Sequence, residues 1–378
     1  MAATARAAAL AAAGRDIISL TAGEPDFDTP RHIAAAGIEA IKSGHTRYTE
    51  VGGTAELKDA IAAKFERDNA LHYERKQILV SSGAKQTLFN LCMALLEPGD
   101  EVLIAAPYWV SYPDMVRLAD ATPVVLPCSS NEGYKLTPEK LAAAITPKTR
   151  LLLLNSPSNP TGAAYLREEL RALGAVLQAH PRIVIASDDI YEKIWWADEP
   201  FGTLAEVVPE LYSRTVTING VSKSHAMTGW RIGYCGGPAE LIAAMATIQG
   251  QSTSNPSSIA QRATIAALNG DQQCVEAMCA AYRERHDYVV AALNTLPGVN
   301  CRAGLGTFYA FADIEQAATA LGLADDVAFS EQLLESTGVA VVPGSGFGAP
   351  GHVRLSFATS RPLLEAAVSR LAGFVRGA

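Results

Sequence analysis

The chain has 378 residues, 49% hydrophobic and 19% charged, with a net charge of −8. That length buries a large core and fits two domains or so, while the acidic balance excludes a general nucleic-acid binder and favours small-molecule chemistry. No apolar run approaches the roughly 20 residues of a membrane span, and six cysteines without CxxC or His/Cys ligand spacing read as reduced, mostly buried thiols of a cytosolic protein, with no metal site.

In chain order, the Ala-rich start predicts a short helix ended by Gly14; it lacks the continuous apolar core and early basic cluster of a signal peptide. Residues 16–20 predict a strand, followed by TAGEPDFDTP. Gly23 there either lets the backbone approach a ligand or simply turns the chain. Asp28-Thr29-Pro30 predicts a helix start, with a capping residue and a proline in the first turn, running to Gly44. Tyr48 lies in a loop ending at Gly52-Gly53, before a helix over 54–69.

The apolar run 78–82 predicts a strand that enters Gly83-Ala84-Lys85-Gln86 and then a helix. Such a helix start offers free N–H groups and a positive dipole end to an anion such as phosphate. Strand 101–104 leads to Trp109, whose flat ring either stacks on a planar ligand or packs in the core. After strands at 124–126 and 151–154 comes NSPSNPTG, residues 155–162, which is turn chemistry. A helix over 167–179 and a strand over 183–187 lead to Asp188-Asp189-Ile190-Tyr191. Asp188 fits either a charge beside a cationic ring nitrogen or a plain helix cap. With strand 216–218, the alternation of strands and helices predicts a mainly parallel sheet covered on both faces. The groups at 83–85, 109, 159 and 188 then converge at one sheet edge.

Residues 219–234, NGVSKSHAMTGWRIGY, place Lys223 eight residues before Arg231. A lysine amine forms an imine with an aldehyde, and a guanidinium grips phosphate or carboxylate. Together they point to a cofactor bearing an aldehyde and a phosphate, pyridoxal 5′-phosphate (PLP). Residues 238–270 predict helix with a break at 252–256, then a long helix over 271–296 and a shift to a smaller domain near Pro297-Gly298. Strands follow at 306–311, 339–342 and 353–358, the last carrying Arg354. A buried arginine there needs a partner, such as an amino acid's α-carboxylate; the alternative is an arginine on an exposed edge.

Gly220, Ser222, Lys223, Ala226, Met227, Gly229, Arg231, Ile232 and Gly233 make this stretch resemble the lysine motif of class I aminotransferases. The resemblance spans essentially the whole chain. GEPDFDTP, PYWVSYPDM, NSPSNPTG and the lysine motif look like the bacterial aspartate and aspartate/prephenate branch. It implies the PLP-dependent transferase fold type I, an α/β fold with a large doubly wound, mainly parallel sheet domain over 45–280. A smaller α+β domain comes from 1–44 and 281–378. It also implies a cytoplasmic homodimer in which Tyr48 reaches the partner's cofactor phosphate. Gly83, Ala84, Lys85, Ser222 and Arg231 fall at the phosphate, Trp109 on the ring, Asn159 and Tyr191 at its phenolic oxygen, and Asp188 at its nitrogen. Lys223 is the catalytic amine. Arg354 takes the substrate's α-carboxylate, with Gly23, Trp109 and Asn159 nearby, and Lys85 serves either the phosphate or a distal carboxylate.

The implied reaction is ping-pong amino transfer between L-aspartate and 2-oxoglutarate. The rivals are an aminotransferase for prephenate, aromatic amino acids or alanine, a carbon–sulfur lyase, and a non-catalytic regulatory module. Modules of that kind carry a fused DNA-binding domain, for which this chain has neither the length nor a basic segment. Asp189 departs from the family's common Asp-Glu-Ile-Tyr at a position expected to be unimportant. Relatives also carry a further N-terminal segment, often with a Pro-Ser motif, that closes over the substrate; the expectation here is a site without it.

Overall fold

The structure, a computed structural model, describes residues 2–377, with side chains from residue 5 onward. In chain order its strands are β1 (Ile18–Ser19), β2 (Ile78–Ser81), β3 (Glu101–Ala106), β4 (Thr122–Pro127), β5 (Thr149–Asn155), β6 (Val184–Asp188) and β7 (Thr215–Gly220). They continue with β8 (Gly233–Gly236), β9 (Asn300–Cys301), β10 (Tyr309–Asp313), β11 (Val339–Ala340), β12 (Val342–Pro343) and β13 (His352–Ser356).

A seven-stranded sheet runs in the order β2-β8-β7-β6-β5-β3-β4. Its strands are parallel except β8, which is antiparallel to both neighbours. The apolar strands read as continuous runs because both faces are covered. On β5 the two-residue period divides the leucines: Leu151 and Leu153 join the cluster with Leu88, Leu91 and Val102. Leu152 and Leu154 join Leu170, Leu173 and Leu177 on the other face. Each leucine so buried stabilises the fold by about 1.5–3 kcal/mol.

A four-stranded antiparallel sheet, β12-β13-β10-β9, lies in the C-terminal third, and β1 pairs in parallel with β11. Ile18 and Leu20 share a hydrophobic cluster with Phe308, Phe329, Leu355 and Leu364, so the N-terminal strand closes on the C-terminal core.

Several local expectations differ from the structure. The helix Arg31–Lys42 has Pro30 at its N-cap and no side-chain cap. Thr29 is drawn away: its Oγ1 donates to Ala226 O at 2.7 Å and accepts from Trp230 Nε1 at 3.0 Å. This helix packs through Ile33 into the cluster holding Ile61, Val80, Ala260 and Ala263, on the large-sheet side. The strand expected over 306–311 starts at Tyr309, and that over 339–342 divides into β11 and β12.

Candidate active site

The parallel strands deliver their carboxyl ends to one edge of the large sheet. Asn155 ends β5 directly opposite Asp188, which ends β6. β7 ends at Gly220, three residues before Lys223, and β8 starts opposite it at Gly233, just after Arg231. Ala226 and Arg231 both take left-handed backbone, φ 50° and 56°, a strain of about 1–3 kcal/mol each that the surrounding packing holds in place. The lysine loop is thereby doubled back over the edge. The helix Ala84–Leu95 points its N-terminus at the same place. Gly233 makes that approach possible, since a Cβ there would sit 2.1 Å from Ala84 N. Gly83 has φ +90° and lies under Arg231, where a Cβ would meet Nη2 at 2.3 Å.

These ends enclose a cavity of about 400 Å³, the size of a small-molecule site. Of the residues singled out from sequence, Gly23, Ala84, Lys85, Trp109, Asn159, Asp188, Tyr191, Ser222, Lys223, Arg231 and Arg354 line it. Gly83 lies behind Arg231, and Tyr48 is 93% exposed and away from the lining. Glu24, Leu88, Asn155, Ile190, Thr228 and Tyr309 also line it, without having been given roles from sequence.

Asp188 is 5% exposed. Tyr112 donates its hydroxyl to Oδ2 at 2.6 Å, whereas Oδ1 has no hydrogen-bond partner. Burial pushes the carboxyl up to about 6, against the Tyr112 hydroxyl, the Ile190 N–H and the Lys223 charge. An unpaired, buried carboxylate oxygen needs a cation. Asn155 braces the strand ends: its Nδ2 donates to Asp188 O at 2.8 Å and its Oδ1 accepts from Asn159 N at 2.9 Å.

Arg354 stands on β13, 7% exposed. Nη1 donates to Asn159 Oδ1 at 2.9 Å and Nη2 to Thr21 O at 2.8 Å, while Nε has no partner. The guanidinium lies 4.4 Å from the Tyr309 ring centre, and the Tyr309 hydroxyl meets that of Tyr191 at 3.0 Å. The arginine is buried on a strand between two others and is not on an exposed edge.

Lys223 Nζ donates to Gly23 O. Burial lowers its amine to about 8, with Arg354 and Arg231 pushing the same way and Glu24 and Asp188 opposing. Lys85 is also lowered, by burial and then by Arg231; its ammonium lies 4.8 Å over the Trp109 ring. Arg231 donates to Thr228 O at 2.9 Å and Ser82 O at 3.3 Å, which aims it across the helix N-terminus.

Asp189 is fully buried and engaged, contrary to its expected unimportance. It accepts from Ser187 Oγ at 2.8 Å and Thr203 Oγ1 at 2.5 Å, and burial pushes it up to about 7. Glu192 forms a buried ion pair with Lys64 and accepts from Asn69 Nδ2 at 2.9 Å. Asp188 and Tyr191 thus face the cavity while Asp189 and Glu192 pin the same turn from behind.

Among the described residues there is no cluster of metal-ligating side chains and no helix long and apolar enough to cross a membrane.

Residues 15–371 match the family model for aminotransferase class I and II. The aspartate/prephenate aminotransferase of Nitrosomonas europaea is 54% identical over 381 residues, 99% of this chain and 96% of that protein. A crystal structure of the aspartate aminotransferase from Rhizobium meliloti superposes with a TM-score of 0.95 at 48% identity, covering 99% of this chain and 95% of that one. The Thermus thermophilus aspartate aminotransferase with maleate gives 0.93 at 44% identity, with the same coverage. With the family model spanning all but the two ends and half the residues shared with such relatives, the chain belongs to aminotransferase class I and II.

Proposed function

We propose that this aminotransferase moves the amino group of L-aspartate, or a closely related amino acid, to 2-oxoglutarate, with PLP as its cofactor. The observation that carries the reading is the pair of unmet buried groups, Asp188 Oδ1 and Arg354 Nε, in one cavity with Lys223. A cationic ring nitrogen answers the first and a substrate α-carboxylate the second. When bound, the cofactor supplies an electrophilic carbon and an electron-accepting ring.

The chain's own groups do the rest. Lys223, lowered towards neutrality, supplies the free amine that holds the cofactor. With its amine free, it would take the substrate's Cα proton as general base. Arg354 fixes the substrate by its carboxylate. Asn159 gives its carbonyl to Arg354, which leaves its amide N–H₂ to donate to the cofactor's phenolic oxygen beside Tyr191. Trp109 offers a stacking face. Ala84, Ser222 and Arg231, with Gly83 behind them, form the phosphate end.

Lys85 is the cation available to a distal carboxylate, which favours dicarboxylic substrates. Two relatives, 54% and 53% identical, are named aspartate/prephenate aminotransferase. Prephenate also carries two carboxylates and is the second acceptor of this reading.

A homodimer completes the proposal. Tyr48 is exposed, and Ile38 and Ile41, each 55% exposed, leave an apolar face for a second copy. The division into 45–280 and 1–44 with 281–378 is proposed likewise, the helix Arg31–Lys42 resting on the large unit. A cytoplasmic setting accords with six free cysteines.

The test is to load the purified chain with PLP and add L-aspartate. Loss of the visible cofactor band, restored by 2-oxoglutarate, is expected. A change only with aromatic amino acids or alanine moves the specificity, keto-acid-independent turnover points to a lyase, and a chain that takes up no PLP defeats the reading.

A further inference from the structure

One acidic side chain in the cavity has no part in this scheme. Glu24 lines it together with Lys223. Its position is fixed from two sides. The preceding carbonyl, Gly23 O, accepts from Lys223 Nζ, and Thr228 Oγ1 donates to Glu24 Oε2 at 2.9 Å. Thr29, further along the same stretch, is bonded to Ala226 O and Trp230 Nε1. The segment carrying Glu24 is therefore laced to the lysine loop at three points, and Glu24 and Lys223 line the same cavity.

A carboxylate works against binding in a cavity that receives anions, so its placement calls for a reason. The charges facing Lys223 come from four elements: Glu24 before the first helix of the large-sheet side, Asp188 at the end of β6, Arg231 after the lysine loop and Arg354 on β13. Lys85 lines the same cavity, and the Tyr191 and Phe308 rings lie 5.9 and 5.8 Å from Nζ. The two arginines disfavour a proton on the lysine; the two carboxylates favour it, Glu24 more strongly than Asp188. Asp188 is committed to the ring nitrogen in the reading above, which leaves Glu24 as the counterweight. A base is only as strong as the stability of the protonated form it becomes.

We propose that Glu24 tunes Lys223 electrostatically: its carboxylate stabilises the ammonium that Lys223 becomes on taking the substrate's Cα proton, offsetting Arg231 and Arg354. The inference rests on Lys223 being the reactive amine, and its test is made without cofactor so that the two can fail separately.

The full-length chain, freed of cofactor, is treated with limiting acetic anhydride across a pH series, and acetylation of Lys223 is followed by peptide mass spectrometry. Two variants separate charge from tether. Glu24→Gln removes the charge and keeps an oxygen for the Thr228 hydroxyl; Thr228→Ala removes the tether and keeps the charge. The expected result is a Glu24→Gln profile displaced to lower pH, with acetylation about threefold faster than the parent at pH 7, and a Thr228→Ala profile displaced the same way but less far. An unmoved Glu24→Gln profile overturns the proposal, as does a further displacement when Thr228→Ala is added to Glu24→Gln. Absence of amino transfer in the parent defeats the functional reading and leaves this titration readable.

Discussion

Asp188 meets Tyr112 through one oxygen and nothing through the other. Asp188→Asn keeps an acceptor for that hydroxyl and removes the charge. Measured as kcat with L-aspartate, it should lose about 10²–10³-fold, the scale of one preorganised electrostatic contact, while still taking up cofactor. Arg354→Lys keeps a charge but loses the fork, and kcat/KM for the amino donor should fall about 10- to 100-fold, the worth of charge-assisted hydrogen bonds. These positions were legible in the sequence because Asp188 ends an apolar strand and Arg354 is the one charged residue within another. Asp189 was not. Nothing in its neighbourhood announces that Ser187 and Thr203 converge on it, for Thr203 arrives from a separate loop. Glu24 was likewise readable only as part of a turn.

At the scale of elements, the turn from Asp188 to Glu192 is held from behind by an ion pair whose side chains are 3% and 4% exposed. Lys64→Met leaves Glu192 buried without its cation and should cost about 3–5 kcal/mol in denaturant unfolding. Gly83→Ala brings a Cβ onto Arg231 and imposes φ +90° on a residue that resists it. PLP affinity, measured by fluorescence titration, should weaken with little change in the far-ultraviolet dichroism. The sheet's parallel body followed from alternation of strand and helix, and the helix expected over 54–69 forms over Ala55–Asn69 behind the capping hydroxyl of Thr54. The cap expected at Asp28-Thr29 failed because Thr29 has partners nearly 200 residues away, a competition invisible to local propensity. β8 was hidden for a similar reason: Gly-Tyr-Cys-Gly carries no strand signal, and its pairing is imposed by the two strands it lies between.

For the whole molecule, pH acts through buried carboxyls. Asp189 rises from an ordinary 3.8 to about 7 on folding. Between those values the folded chain binds more protons than the unfolded one, so stability is greatest at the acid end of the window and is lost as pH rises through it. Asp188, pushed up to about 6, adds a slope of the same sign in the cofactor-free chain. Asp189→Asn should therefore flatten, without abolishing, the fall in Tm of the cofactor-free chain across this range. The proposed function turns on one amine, Lys223, holding the cofactor beside the carboxyl ends of β5, β6 and β7. The most direct test is to load the chain with PLP, reduce it with borohydride, digest it and locate the modified residue by mass spectrometry. A single cofactor adduct on the peptide containing Lys223, absent from Lys223→Ala, is the predicted result. An adduct on another lysine, or none in a chain that still transfers amino groups, would contradict it.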